Sequence, residues 1–113
     1  MKLSDLATRL EFKVYTAGTP LERPVLGGYA SDLLSDVIGH SRKDDLWVTM
    51  QVHPNIVAVA VLKELAGIVL VNGREPAAET LQQAEREGVS VLGTRLGAFE
   101  LVGRLYGMGL KGS

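Results

Sequence analysis

A chain of 113 residues with 46% hydrophobic and 22% charged residues has the size of one domain and can bury a core, which excludes intrinsic disorder. Its 12 Lys and Arg against 13 Asp and Glu give a formal net charge of −1, unlike a strongly basic nucleic-acid binder. Cysteine is absent and the only histidines are His40 and His53, which excludes disulfides, thiolate nucleophiles and Cys-based zinc sites and argues against a multi-histidine metal site.

From the N-terminus, the chain turns polar at once, Met1-Lys2-Leu3-Ser4-Asp5, without the apolar core of a secretory signal. Ser4 is placed to cap a short helix through Leu10. Phe12, Val14 and Thr16 alternate with Lys13 and Tyr15, which predicts a strand over 12–16. Pro20 and Pro24 bracket a loop, and an edge strand is expected over 23–28. Ser31 or Asp32 is expected to cap a helix carrying Leu33, Leu34, Val37 and Ile38 and ended by Gly39. His40 then falls at an exposed helix end, near the negative pole of the dipole. Asp44-Asp45 reads as a solvated turn rather than a metal-binding acidic pair.

The rest of the chain alternates more clearly. Leu46-Trp47-Val48-Thr49-Met50, Gly67-Ile68-Val69-Leu70-Val71 and Val89-Ser90-Val91-Leu92 are short apolar runs of the kind that parallel strands buried on both faces require. Asn55–Ala66 is rich in β-branched residues, yet a crossover between parallel strands needs a helix there. That helix would be apolar on nearly every side, so something must cover its outer face. Pro76–Glu87 is a clear helix: Pro76 suits the first turn, Glu75 and Glu79 sit near the positive pole, and Gly88 suits the end. Ala77, Leu81 and Ala84 mark its apolar face. A last helix is expected over 98–106, with Phe99, Val102 and Tyr106 on one stripe and Leu101, Leu105 and Met108 on the next. The fold class that follows is α/β, a three-layer α/β/α sandwich around a mostly parallel sheet of about five strands. No apolar run reaches the roughly 18–20 residues of a membrane span, so a cytoplasmic location without membrane contact is expected.

In open α/β sheets ligands bind beyond the carboxyl ends of the strands. The loops expected there are Gln51–Asn55, Asn72–Pro76 and Gly93–Gly97, which offer His53, Asn55, Asn72, Gly73, Arg74, Thr94 and Arg95. Helix N-termini add N–H groups that favour anions, so a nucleotide or phosphorylated metabolite is the natural ligand. Plain structural roles compete. Asn55 or His53 can cap a helix, Asn72-Gly73 is an ordinary turn, and Arg74 and Arg95 can be solvated loop charges. The phosphate-binding G-x-x-x-x-G-K-[ST], the full G-x-G-x-x-G and the G-x-S-x-G elbow are missing. His53 is the one histidine suited to a proton-transfer test, but no carboxylate partner is legible beside it. No catalytic residue, metal site or cofactor is expected.

The stretch from Trp47 to Ala60 resembles the central segment of DRTGG domains, and Ile68–Pro76, Val89–Thr94 and Phe99–Tyr106 match the same plan. The likeness covers 25–110 and implies a single DRTGG-like domain over 1–113. Such domains accompany CBS domains in some regulated pyrophosphatases and are similar in fold to the N-terminal, non-catalytic part of HPr kinase/phosphorylase. Many members carry an acidic–basic pair where this chain has Val52 and His53. The resemblance implies a regulatory or assembly module beside an unidentified protein partner, rather than an enzyme, and a homodimer is expected because a partner helix would cover the apolar outer face of Asn55–Ala66. The alternative is a sensor that binds its phosphorylated ligand at the loops above.

Overall fold

The apolar runs form the centre of a sheet. The structure, a computed structural model, describes residues 1–112. Its elements are α1 (Leu3–Arg9), β1 (Lys13–Val14), β2 (Gly27–Ala30), α2 (Leu34–His40), β3 (Asp45–Thr49), α3 (Asn55–Lys63), β4 (Gly67–Leu70), α4 (Ala78–Glu87), β5 (Val91–Gly93) and α5 (Ala98–Gly107). The sheet order is β1-β5-β4-β3-β2. β2 to β5 run parallel and β1 pairs antiparallel with β5. The three-layer α/β sandwich with its mostly parallel five-stranded sheet is therefore found.

β3, β4 and β5 are buried at every position, because helices cover both faces. Alternate residues still point to opposite sides. Trp47, Ile68, Leu70 and Val91 pack with Val37, Ile56, Val57 and Ala84 from α2, α3 and α4. Leu46, Val48, Val69 and Leu92 pack with Leu3, Leu6, Leu101 and Leu105 from α1 and α5. Crossovers of one hand between sequential strands put α2, α3 and α4 on the same face.

Several boundaries differ from expectation. α1 is preceded by Lys2, whose N–H donates to the Asp5 carboxylate at 2.9 Å, so Ser4 is not the cap. Residues 23–26 are not in the sheet. Arg23 and Met1 carbonyls accept N–H groups of Leu3 and Val25, and Leu26 N–H donates to the Asp44 carbonyl at 3.0 Å, so residues 23–25 pair with the N-terminus and the edge strand begins at Gly27. The free edge of β2 is in turn closed by the C-terminal segment, where Gly28 N–H donates to the Lys111 carbonyl at 2.9 Å. Neither Ser31 nor Asp32 caps α2. The Asp32 carboxylate instead accepts the Thr49 hydroxyl at 2.8 Å and the Met50 N–H at 2.7 Å, tying two loops together. Asp44-Asp45 is not a solvated turn either. Asp45 is 2% exposed, and Asp44 accepts the Arg23 guanidinium at 3.1 Å. His40 is exposed as the last residue of α2, with Nδ1 3.1 Å from Asp36.

α3 starts at Asn55 but neither Asn55 nor His53 caps it with a side chain; Pro54 occupies that place. The helix stops at Lys63, three residues earlier than expected, because Glu64 turns left-handed at φ 54°. α2 and α4 pack along its flanks and Ile56, Val57, Val59 and Ala60 are buried. The cover for this apolar helix is thus supplied largely within the chain, and not by α1, which lies across the sheet. α4 begins at Ala78, after Pro76, and ends on Gly88 as expected.

Candidate functional site

β4 leads into α4 on one face of the sheet, and β5 leads into α5 on the other. Adjacent loops that depart to opposite faces leave a crevice beyond the carboxyl ends of their strands. The Asn72–Pro76 and Gly93–Gly97 loops meet there and are stitched by backbone hydrogen bonds. Asn72 N–H donates to the Leu96 carbonyl at 2.9 Å and Gly73 N–H to the Thr94 carbonyl at 2.8 Å. Asn72 and Gly73 form the turn with φ of 60° and 68°, a conformation that asparagine and glycine tolerate best.

Beside this seam, toward β1, opens a cleft of about 460 Å³. Gly73, Glu75, Gly93, Thr94, Arg95 and Leu96 line one side, and Leu10, Glu11, Lys13, Tyr15 and Arg104 the other. β1 places Lys13 and Tyr15 through its pairing with β5, in which Lys13 lies opposite Gly93. A Cβ on Gly93 would stand 2.6 Å from the Tyr15 ring, so glycine lets the ring lie against the strand. The Lys13 ammonium sits 4.9 Å from that ring's centre, a cation–π contact that holds it at the rim.

The cleft gathers Lys13, Arg95 and Arg104 against Glu11 and Glu75. Among the described residues the ion pairs are Lys2–Glu22, Arg23–Asp44, His40–Asp36 and Lys43–Glu64. None of the cleft's charges belongs to them. Two guanidiniums without carboxylate partners are suited to a phosphate-type anion, which they can grip bidentately. The two glutamates supply acceptors for hydroxyl or amino groups carried by the same ligand.

Of the residues expected from the sequence, the structure brings Gly73, Thr94 and Arg95 into the cleft and leaves His53, Asn55, Asn72 and Arg74 outside its lining. His53 and Asn55 are exposed at the start of α3, where the His53 carbonyl accepts Ile56 N–H at 3.2 Å. Asn72 donates through Nδ2 to Met50 Sδ at 3.2 Å. The N–H groups of Asn72, Gly73, Arg74 and Thr94 go to carbonyls, and Leu96 N–H goes to the Thr94 hydroxyl. The cationic groups that line the cleft are the Lys13, Arg95 and Arg104 side chains. Lys13, Tyr15 and Arg104 were not legible as lining residues of this cleft. The one available signal was the 12–16 strand, whose partner in the sheet cannot be read locally. The resolved carboxyl shift lies elsewhere, on α2: the Tyr29 hydroxyl bond, 2.7 Å long, holds Asp36 below the usual carboxylate range, with Ser31 and His40 adding to it. Among the described residues no group of three or more His, Asp or Glu is close enough to hold a metal ion, and no helix is long and apolar enough to cross a membrane.

No family model matches this chain, and no curated protein does. The fold is similar to the crystal structure of the CBS and DRTGG domains of the regulatory region of Clostridium perfringens pyrophosphatase, complexed with the activator diadenosine tetraphosphate. The TM-score is 0.69 at 14% identity, over 96% of this chain and 47% of that one. This chain thus spans about half the length of that structure. The similarity bears out the DRTGG-like fold that the sequence resemblance implied.

Proposed function

We propose that the chain is a single regulatory domain of the DRTGG type, without chemistry of its own, that responds to a phosphate-bearing ligand held in the cleft between β5 and β1. The observation that carries this reading is the pair of unpartnered guanidiniums, Arg95 and Arg104, with the Lys13 ammonium around one cleft. Charge left unpaired at a concave site, while Arg23 elsewhere is bonded to Asp44 and to the Glu64 carbonyl, is what a site awaiting an anion should show. The similar structure belongs to a regulatory region complexed with a dinucleoside polyphosphate, which supports a regulatory role and makes nucleotides the first probes.

The test is a thermal-shift panel of AMP, ATP, diadenosine tetraphosphate and pyrophosphate. Linkage of about 1 kcal/mol moves the midpoint of a domain this small by roughly 4–8 °C. Arg95→Ala and Arg104→Ala should abolish the shift, while Arg74→Ala, outside the cleft, should leave it. A flat panel, or a shift lost only in Arg74→Ala, rejects the cleft.

A second reading, a module that assembles as a homodimer, is favoured by the outer side of α5, where Phe99 is 97% exposed.

A further inference from the structure

The cleft between β5 and β1 is larger than a bare anion needs. Its volume of about 460 Å³ falls in the range of organic-ligand pockets, roughly 300–1,000 Å³, and a single phosphate fills a small part of it. Its charges are also mixed. Lys13, Arg95 and Arg104 suit an anion, but Glu11 and Glu75 share the lining and repel one. Glu75 has a plain structural role, since it precedes α4 near the positive pole of that helix. Glu11 has no such role.

α1 ends at Arg9, and Glu11 stands just past it, at the negative pole, where a cation is favoured over a carboxylate. The Phe12 N–H donates to the Ala7 carbonyl at 2.9 Å, and in this closing turn Glu11 takes φ 55°. That position suits glycine, because a Cβ is strained there. Asp44, Glu64 and Asn72 share a positive φ. Each of them has a side-chain partner: Arg23 at 3.1 Å, Lys43 at 3.6 Å and Met50 at 3.2 Å. The Glu11 side chain has none among the described residues. Neither the backbone, the dipole nor a contact within the chain favours a carboxylate here, so its use lies in the cleft it lines.

We propose that Glu11 selects the ligand: its carboxylate accepts hydroxyl groups of a sugar ring whose phosphate ester is held by Arg95 and Arg104. This inference rests on the anion cleft proposed above and names the class of its ligand. Arg95 comes from the loop before α5, Arg104 from α5 and Glu11 from the end of α1. The anionic and the hydroxyl-bearing parts of one molecule thereby meet groups of the right kind from three different elements. A charged acceptor bonds a hydroxyl more strongly than a neutral one does. Pyrophosphate brings charge without a sugar hydroxyl, which leaves Glu11 as a repulsive neighbour. A site built to bond a hydroxyl rejects the analogue that lacks it. Leu10 and Leu96 add apolar surface for the face of the ring or for a base attached to it. A nucleoside phosphate and a simple sugar phosphate share this chemistry.

The experiment is isothermal titration calorimetry of the full chain with AMP, ribose 5-phosphate, glucose 6-phosphate and pyrophosphate. It compares wild type with Glu11→Gln, Glu11→Gly and Arg95→Ala, and thermal melts of the ligand-free proteins report folding. Wild type should bind at least one ester about tenfold or more tighter than pyrophosphate. A preference for AMP over ribose 5-phosphate assigns a nucleoside ester, and equal affinity assigns a sugar ester. In Glu11→Gln the ratio of ester to pyrophosphate affinity should fall about tenfold, with pyrophosphate bound as tightly as before or more tightly. Glu11→Gly should lose the same selectivity while its ligand-free melting midpoint rises by a few degrees, since glycine relieves the turn. Arg95→Ala should weaken every probe. Pyrophosphate binding as tightly as the esters, or a Glu11→Gln change that weakens esters and pyrophosphate alike, overturns the role of Glu11 and keeps the cleft. A Glu11→Gly midpoint that falls gives Glu11 a role in the fold and overturns it too. Failure of every probe to bind wild type overturns both.

Discussion

α3 and α5 are both short, apolar-rich helices, and they lie on opposite faces of one sheet. In α3 the residues Ile56, Val57, Val59 and Ala60 are buried, leaving Val61 and Leu62 as the large apolar groups outside. In α5 the largest apolar side chain, Phe99, is the most exposed of the large hydrophobics, and Tyr106 follows it out. The cause is position in the layer. α3 runs between α2 and α4 and is covered on both flanks, while α5 shares its face of the sheet with α1 alone. A helix that is apolar all round is a candidate for a partner surface only if its neighbours in the fold leave it bare.

The comparison is broken most directly by truncating side chains on each helix. Ile56→Ala and Leu101→Ala, both at 0% exposure, should each cost about 2–5 kcal/mol in urea unfolding. Phe99→Ala should change the stability of the monomer by no more than about 0.5 kcal/mol. If Phe99→Ala costs as much as Leu101→Ala at concentrations where the chain is monomeric, the α5 face is not free. A smaller effect is expected at the end of α3. Glu64 adopts φ 54° there, a conformation that costs a residue with a Cβ about 1–2 kcal/mol. Glu64→Gly should therefore stabilise the chain by about 1 kcal/mol, seen as a raised denaturant midpoint at constant slope. The loss of its exposed pair with Lys43 at 3.6 Å subtracts little from this.

The smallest effect concerns α2, which helps to cover α3. The Tyr29 hydroxyl donates to Asp36, which lowers the carboxyl's pKa and raises that of the phenol. The sign follows from linkage. Asp36 contributes stability above its unfolded pKa, and the contribution fades as pH falls through its lower folded value. Tyr29, held protonated, contributes below pH 10 and loses its share as pH rises through its higher folded value. In Tyr29→Phe the Asp36 carboxyl should titrate closer to the ordinary range, followed by its side-chain NMR shift. An unmoved Asp36 curve would assign the shift to Ser31 and His40 instead.

Much of the fold was legible. The apolar runs at 46–50, 67–71 and 89–92 became β3, β4 and β5, and the helix at 76–87 kept its capping glycine. The turn residues Asn72 and Gly73 have the positive φ that their types suggest. The candidate cleft was legible in part. Gly73, Thr94 and Arg95 stand on loops whose place follows from strand order, and they line the cleft. Lys13, Tyr15 and Arg104 reach it from sequence-distant elements, so no spacing rule links them to those loops. Arg74 shows the reverse: it sits in the expected loop, yet it lies outside the cleft.

What the sequence by itself determined is local and periodic: where strands and helices occur, and which loops lie at the carboxyl ends of the parallel strands. Those follow from side-chain periodicity, turn chemistry and the geometry of crossovers, all of which act over a few residues. The tertiary structure alone decided that β1 pairs with β5, that residues 23–25 join the N-terminus, and which apolar helix is left bare. Each of these depends on which surfaces compete for the same cover. That competition is settled by burial summed over the whole chain, and no short window of residues contains it.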